Sequence, residues 1–277
     1  MFKNNNILNL KMTIIVISDI QKVKAFANIF RFMKDIIADV NIDMTEDKMY
    51  IQGMGEAQAC LVELELQKEW FQTYEVKSPF VLGIHCEYMF KMIGCLEDGQ
   101  KITMYMPEDG DKLNVDFDPI DNSVQKSIQK KFTMPLIMID NEHLHIPDTE
   151  FQSDITMSSY LFADLIHQLS IFGETLKLRC TMESIDLVTN GDMGEMNASI
   201  KEEDITEYAL EEDVVVNTCL SMKFVQKICA FSKISPSIYM HCSNDSPIKF
   251  HYSLDEKNSE DSQNFIRFFV APKMDDE

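Results

Sequence analysis

Glycine is scarce in this chain, nine residues in 277, and the scarcity is informative. Loops that cradle phosphate through backbone N–H groups are rich in glycine. None of G-x-x-x-x-G-K, G-x-G-x-x-G, G-x-S-x-G or H-E-x-x-H occurs. Nucleotide-hydrolysing, dinucleotide-dependent, serine-hydrolase and zinc-peptidase chemistries therefore have no motif to stand on, and the chain reads as no enzyme, without a catalytic residue or a cofactor. A C-x-x-C pair is lacking too. The seven cysteines (Cys60, Cys86, Cys95, Cys180, Cys219, Cys229 and Cys242) are scattered and odd in number, which suits reduced, mostly buried thiols and not a zinc or disulfide framework. The closest histidine pair, His143-Leu144-His145, reads as surface histidines, so no metal is expected. No apolar run approaches the roughly 20 residues that a bilayer-crossing helix needs. The opening MFKNNNILNLKM has neither an apolar core of signal-peptide length nor a small-residue cleavage site, so the expectation is a mature intracellular protein with no membrane partner.

Positive charge is short overall. Lys and Arg number 25 against 46 Asp and Glu, a formal net charge of -21, and such a balance taken alone opposes binding to a polyanion. The distribution matters more than the sum. With 45% apolar and 26% charged residues, the chain has a globular composition and is long enough for two domains.

The same order of elements occurs twice. In the first half MTIIVI (12–17) alternates like a strand, Ser18 is a candidate N-cap with Gln21 completing a capping box, and Ile20, Val23, Phe26, Phe30, Met33 and Ile37 form a helical apolar stripe. DVNIDMTEDKMYIQGMG (39–55) then reads as a hairpin turning at Glu46-Asp47-Lys48. In the second half FQSDITM (151–157) is the strand, Ser158 or Ser159 the cap, Phe162, Leu165, Ile166, Leu169 and Phe172 the stripe, and TLKLRCTMESIDLVTNGDMG (175–194) the hairpin. Residues 81–106 and 215–242 repeat a strand, short helix and strand, and KLNVDF (112–117) and IKFHY (248–252) close the halves. The fold class is α+β: two similar domains of antiparallel sheet, each carrying two helices that cover one sheet face. The expected division is an amino-terminal extension at 1–11, one domain at 12–133, an extended connector at 134–150 with two prolines, and a second domain at 151–277. The acidic tracts at 202–213 and 255–261 read as solvated loops.

Helical projection places Lys24, Asn28 and Arg31 opposite the stripe of the first helix, with Lys34 at its edge. Lys91 lies opposite Met89, Met92 and Ile93, and Lys223 and Lys227 lie opposite Met222, Val225 and Ile228. The third helix offers His167 and Gln168 beside Asp164. Over 18–35, 85–96, 158–172 and 221–233 there are eight Lys or Arg against four Asp or Glu, a sum of +4, which leaves -25 for the rest. A chain acidic everywhere except one layer of helices can present that layer to a polyanion and repel it elsewhere.

Gln52-Gly53-Met54, Leu82-Gly83-Ile84, Leu144-His145-Ile146-Pro147 and the closing FFVAPKMDDE (268–277), in this order on a duplicated frame, resemble the proliferating cell nuclear antigen family, the eukaryotic-type DNA sliding clamps. The resemblance runs from about residue 12 onward. It implies the DNA clamp fold, in which three subunits form a ring with helices lining the hole. It implies a processivity factor for a DNA polymerase that acts in replication and repair, in the nucleus or in the replication compartment of a DNA virus. Its partners would be double-stranded DNA held topologically and without sequence preference, a polymerase and other proteins bearing a clamp-interacting peptide, and an ATP-dependent loader. Lys24, Arg31, Lys34, Lys91, His167, Lys223 and Lys227 would face DNA. Met54, Leu144, Ile146, Pro147, Pro247, Phe269, Ala271 and Pro272 would form the peptide pocket. Departures accompany it: inner-helix lysines of the family fall on Ala27, Asn28, Gly94 and Ala230, a lysine whose modification switches polymerases falls near Met182, and the extension with Asn4-Asn5-Asn6 has no counterpart. The alternative on the same fold is a subunit of a hetero-oligomeric checkpoint clamp, or a processivity factor that closes no ring. Strands 112–117 and about 195–201 are expected to offer the free edges for assembly.

Overall fold

The computed structural model describes residues 12–55, 58–107, 110–120, 128–140, 142–147 and 149–273. The extension at 1–11 and the last four residues of the closing motif lie outside the described residues. The first half runs β1 (Met12–Ile17), α1 (Ile20–Met33), β2 (Asp39–Met44), β3 (Lys48–Met54), β4 (Cys60–Gln67), β5 (Thr73–Glu75), β6 (Phe80–His85), α2 (Cys86–Ile93), β7 (Gln100–Pro107), β8 (Lys112–Pro119) and β9 (Lys130–Pro135). The second runs β10 (Ser153–Ser158), α3 (Ser159–Leu169), β11 (Thr175–Cys180), β12 (Ser184–Gly191), β13 (Gly194–Lys201), β14 (Glu207–Leu210), β15 (Val216–Ser221), α4 (Met222–Cys229), β16 (Ser237–Cys242), β17 (Ile248–Ser253) and β18 (Phe265–Val270). The two lists have the same order of strands and helices, so the duplication read from the sequence extends to every element.

The halves do not own separate sheets. A nine-stranded sheet, β14-β10-β16-β17-β18-β4-β3-β2-β6, crosses from one to the other through the antiparallel pair β18–β4, with Val270 opposite Cys60, Phe268 opposite Val62 and Ile266 opposite Leu64. The remaining strands form a five-stranded sheet, β5-β1-β7-β8-β9, and a four-stranded one, β13-β12-β11-β15. By the duplication, the five match β14 through β18 and the four match β4 through β6. Val62, Leu64, Phe250, Tyr252 and Phe268 are buried on the face of the central sheet that the helices cover. Phe162 of α3 stacks toward Phe250 at 6.2 Å between ring centroids, and the Tyr252 hydroxyl donates to the carbonyl of Ile228 in α4 at 3.1 Å.

The helices are shorter than the sequence suggests, and one cap differs. The N-cap of α1 is Asp19, whose carboxylate accepts from the N–H groups of Gln21 and Lys22 at 2.9 Å each. A carboxylate can accept both and also answers the positive end of the helix dipole, which the Ser18 hydroxyl would do less well. Helix α1 therefore begins at Ile20, which is 48% exposed and leaves the stripe, while Val23, Phe26, Phe30, Met33 and Ile37 are buried. Ser158 caps α3 through Leu161 N–H.

Two readings of the strands need correction. Strand β8, which contains 112–117, is not an edge, because β9 pairs along it with Leu113 opposite Met134 and Val115 opposite Phe132. That sheet ends in β5 and β9, and the four-stranded sheet ends in β13 and β15, so of the two strands expected as edges only the one at 195–201 is one. The acidic tract at 202–213 contains β14, paired with β10. The tract at 255–261 is the exposed loop expected, anchored at its middle: the Tyr239 hydroxyl donates to Asn258 O at 2.5 Å, Asn258 Nδ2 donates to Ser237 Oγ at 2.7 Å, and Glu260 reaches His241 at 2.9 Å.

Candidate functional sites: a cationic helix layer and an apolar seam under a strap

Helices α1 and α2 pack side by side, as do α3 and α4, and α1 also meets the turn at 230–233 that follows α4. The four form one continuous layer. Within their observed limits the basic residues are Lys22, Lys24, Arg31, Lys91, Lys223 and Lys227 and the acidic ones Glu87 and Asp164, again +4, with -25 elsewhere. The exposed side of the layer is cationic on an otherwise anionic molecule.

Not every candidate cation is available there. Arg31 and Lys223 are exposed and form no ion pair or hydrogen bond among the described residues. Lys24 and Lys91 are exposed with weak partners, Asp98 at 3.9 Å and Glu87 at 3.2 Å. Contacts this exposed contribute little and exchange readily. Lys34 differs: its ammonium is 2.7 Å from Asp35 and lies 4.6 Å from the centre of the Phe90 ring. Lys227 donates to the backbone carbonyl of Asp35, across the seam between the halves. There Phe32 of α1 also meets Phe231 edge-on at 5.4 Å. Lys34 and Lys227 hold the layer together, and His167 is exposed on α3, where the only other charge is Asp164.

The second group of candidates gathers at one end of the central sheet. Met54 lies opposite Leu61, and Leu61 lies opposite Phe269, a cross-strand row that spans the seam. Ala271 N–H continues the pairing to Ala59 O at 2.9 Å, Pro272 follows, and Pro247 precedes β17 beside them. Met54 is 38% and Leu144 49% exposed, Phe269 and Ile146 are half-buried, and Pro147, Pro247 and Ala271 are exposed. This is an open apolar surface.

The segment after β9 passes over the outer side of β6, β2 and β3 as a strap. Pro135 still belongs to β9, so the strap begins at Leu136 and not at Met134. Ile137 N–H donates to Gly83 O at 2.9 Å, Asn41 Nδ2 donates to Ile139 O at 3.1 Å, and Gln52 grips Leu144. Gly83 is explained by this crossing, since a Cβ there would lie 2.0 Å from the Ile137 carbonyl oxygen. Sequence reasoning omits Asp43, Tyr50, Gln52 and His143 from the site. Alternation along β3 puts Tyr50, Gln52 and Met54 on one face, but nothing in the sequence tells that residues about 90 positions later cross it.

Comparison with known proteins follows the same halves. The family model described as the proliferating cell nuclear antigen, N-terminal domain, matches residues 17–143, and that of the C-terminal domain matches residues 145–273. A curated proliferating cell nuclear antigen of Chaetomium thermophilum is 25% identical over 250 residues, covering 88% of this chain and 93% of its own. One of Saccharomyces cerevisiae is 26% identical over 262 residues, covering 93% and 97%.

Proposed function

Because the chain belongs to the proliferating cell nuclear antigen family, we propose that it is a sliding clamp: a ring subunit that encircles duplex DNA and tethers a polymerase and other replication and repair proteins. It works in the nucleus, or in the replication compartment of a DNA virus, and a separate ATP-dependent loader opens the ring. The observation that carries the reading is the unfinished sheet pair. Inside the chain, a five-strand block and a four-strand block join through β18 and β4. A second five-strand and four-strand pair in the same order ends in β9 and β13, at the positions of β18 and β4, and among the described residues these two edges have no pairing strand. Such edges invite pairing, and two different edges of one chain join head to tail and close into a ring. A homotrimer places six similar domains around the hole with the cationic helix layer inward.

Light scattering at micromolar concentration is expected to give about three times the chain mass. A stable single-chain mass would reject the ring and favour a processivity factor that works without one.

The apolar row under the strap is the docking surface for a peptide of the pattern Gln-x-x-aliphatic-x-x-aromatic-aromatic, with its apolar side chains as anchors. Substituting Ile146→Asp sets a charge where those anchors seat. Calorimetry with such a peptide is expected to show a loss of at least about 2 kcal/mol, since an unpaired carboxylate is costly to bury. The three-chain mass should persist, because Ile146 belongs to neither β9 nor β13. Unchanged affinity would place the docking surface elsewhere.

A further inference from the structure

Gln52 meets Leu144 with both ends of its amide. Oε1 accepts from the Leu144 N–H at 2.6 Å, and Nε2 donates to the Leu144 carbonyl at 3.0 Å. One side chain thereby does for a strap residue what a neighbouring strand does in a sheet. The same Nε2 lies 3.2 Å from the Tyr50 hydroxyl, which donates to Glu63 at 2.9 Å. Burial, and then the Glu63 charge, push the Tyr50 pKa up, so the hydroxyl keeps its proton. One residue upstream, His143 brings Nε2 within 2.9 Å of Asp43 Oδ2 and sets its ring edge-on to Tyr50, 5.3 Å between centroids. That Asp43 oxygen is buried, and His143 is its only ion partner among the described residues. The Leu144 side chain is left outward, beside the row that begins at Met54.

The geometry points to Gln52 and His143 as positioning residues of the docking surface, which fix the strap at Leu144 and make part of that fixation depend on a proton. The inference rests on the peptide-docking reading above. Histidine is the side chain whose charge ordinarily changes between about pH 5 and pH 8. A charged imidazole makes the Asp43 contact an ion pair at 2.9 Å, and a neutral one leaves that buried oxygen without a hydrogen bond. A strap already fixed loses less freedom when a peptide docks, so docking is tighter on the acidic side.

The other charged or titratable groups on the elements around this clamp are Asp39 and Asp43 on β2, His85 on β6 (which meets Asp39), Lys48 and Tyr50 on β3, Glu63 and Glu65 on β4, Arg267 on β18, and Asp140, Glu142 and His145 on the strap. Ordinary carboxylates, lysines and arginines do not change charge between about pH 6 and pH 8. His251, on the same outer sheet face, is held down to about 3 by burial and then by Arg267, and stays neutral across that range. His145, exposed on the strap, and His85, paired with Asp39, are the controls.

The test is calorimetry of the full chain with a synthetic Gln-x-x-Leu-x-x-Phe-Phe peptide near pH 6 and near pH 8. The unmodified protein is expected to bind about two- to five-fold tighter near pH 6, the range of a partly exposed ion pair. His143→Gln should abolish that ratio, keep the affinity seen near pH 8 and retain the three-chain mass. His145→Gln and His85→Gln should each preserve the ratio. Gln52→Ala should weaken docking several-fold at both pH values. Equal ratios in His143→Gln and the unmodified protein, or no ratio in either, would overturn the inference. Absence of binding by the unmodified protein at both pH values would instead overturn the docking reading.

Discussion

Protein loaded onto a nicked circular duplex is expected to remain through repeated washing and to leave within minutes once the circle is cut, a change in retention of about a hundred-fold or more. A closed ring is linked to a circle by topology, so residence needs no tight phosphate contact. The charge map agrees with weak contact. At -21 overall the protein repels free duplex, and only Arg31, Lys223, Lys24 and Lys91 stand ready on the helix layer. A protein that neutralised many phosphates would bind tightly and respond steeply to salt, and would not glide. Replacing these four with Ala should impair loading and polymerase stimulation, and each lost contact should lower the salt slope by roughly 0.9 on B-DNA. Lys34 and Lys227 are excluded from the set because Lys34 is held by Asp35 and Phe90 and Lys227 secures the seam. Equal retention on circular and cut DNA would mean that affinity and not topology holds the protein, and the ring reading would fail.

Phe132→Asp is expected to convert the three-chain species to single chains. The duplication supplies the register of the boundary. Leu113, Val115 and Phe117 face inward as Ile248, Phe250 and Tyr252 do, so Phe132, opposite Val115, occupies the place of Phe268, opposite Phe250. The turn at Thr181–Ser184 repeats the hydrogen bonds of the turn at Thr45–Lys48. On that match Met196, opposite Thr189, stands where Val62 stands opposite Gly53. Phe268 faces Val62 within the chain, so the proposed ring would set Phe132 against Met196 of the partner subunit. Both side chains are half-buried in the single chain and packed against its core, and pairing would finish their burial. A carboxylate in that place loses the apolar contact and adds an unpaired charge, a cost of several kcal/mol repeated at each boundary. Phe132→Tyr should keep the ring, and circular dichroism should show Phe132→Asp still folded. Three-chain mass for Phe132→Asp would reject this register.

The frame of the molecule is legible in the sequence because period-two and period-3.6 patterns are strong in both halves and recur in order. What escapes the sequence depends on neighbours. Ser18 with Gln21 has the form of a capping box, yet the adjacent Asp19 carboxylate is the better acceptor. The polar run before β9 hides a strand whose reason for being one is β8, and Glu207–Leu210 is a strand only because β10 lies beside it. Projection shows which lysines leave the apolar stripe. It does not show that Lys227 ends on a carbonyl of the other half, or that His143 ends on Asp43, 100 positions earlier.

Strand β4 has its partner at the far end of the chain. It ends at Gln67, and β18, which covers its second edge, begins at Phe265. During synthesis roughly 200 residues must emerge before that edge is covered, on the order of 10–40 s at about 5–20 residues per second. Through that interval the nascent first half displays an apolar strand ready to pair with any similar strand, including that of another nascent copy. Glu63 and Glu65, which alternate along β4 with Leu64 and Leu66, put negative charge on the outer face of this waiting edge. Tyr50 and Lys48 on β3 precede these carboxylates in the chain, so only Arg267 reaches Glu63 with the late arrival of β18.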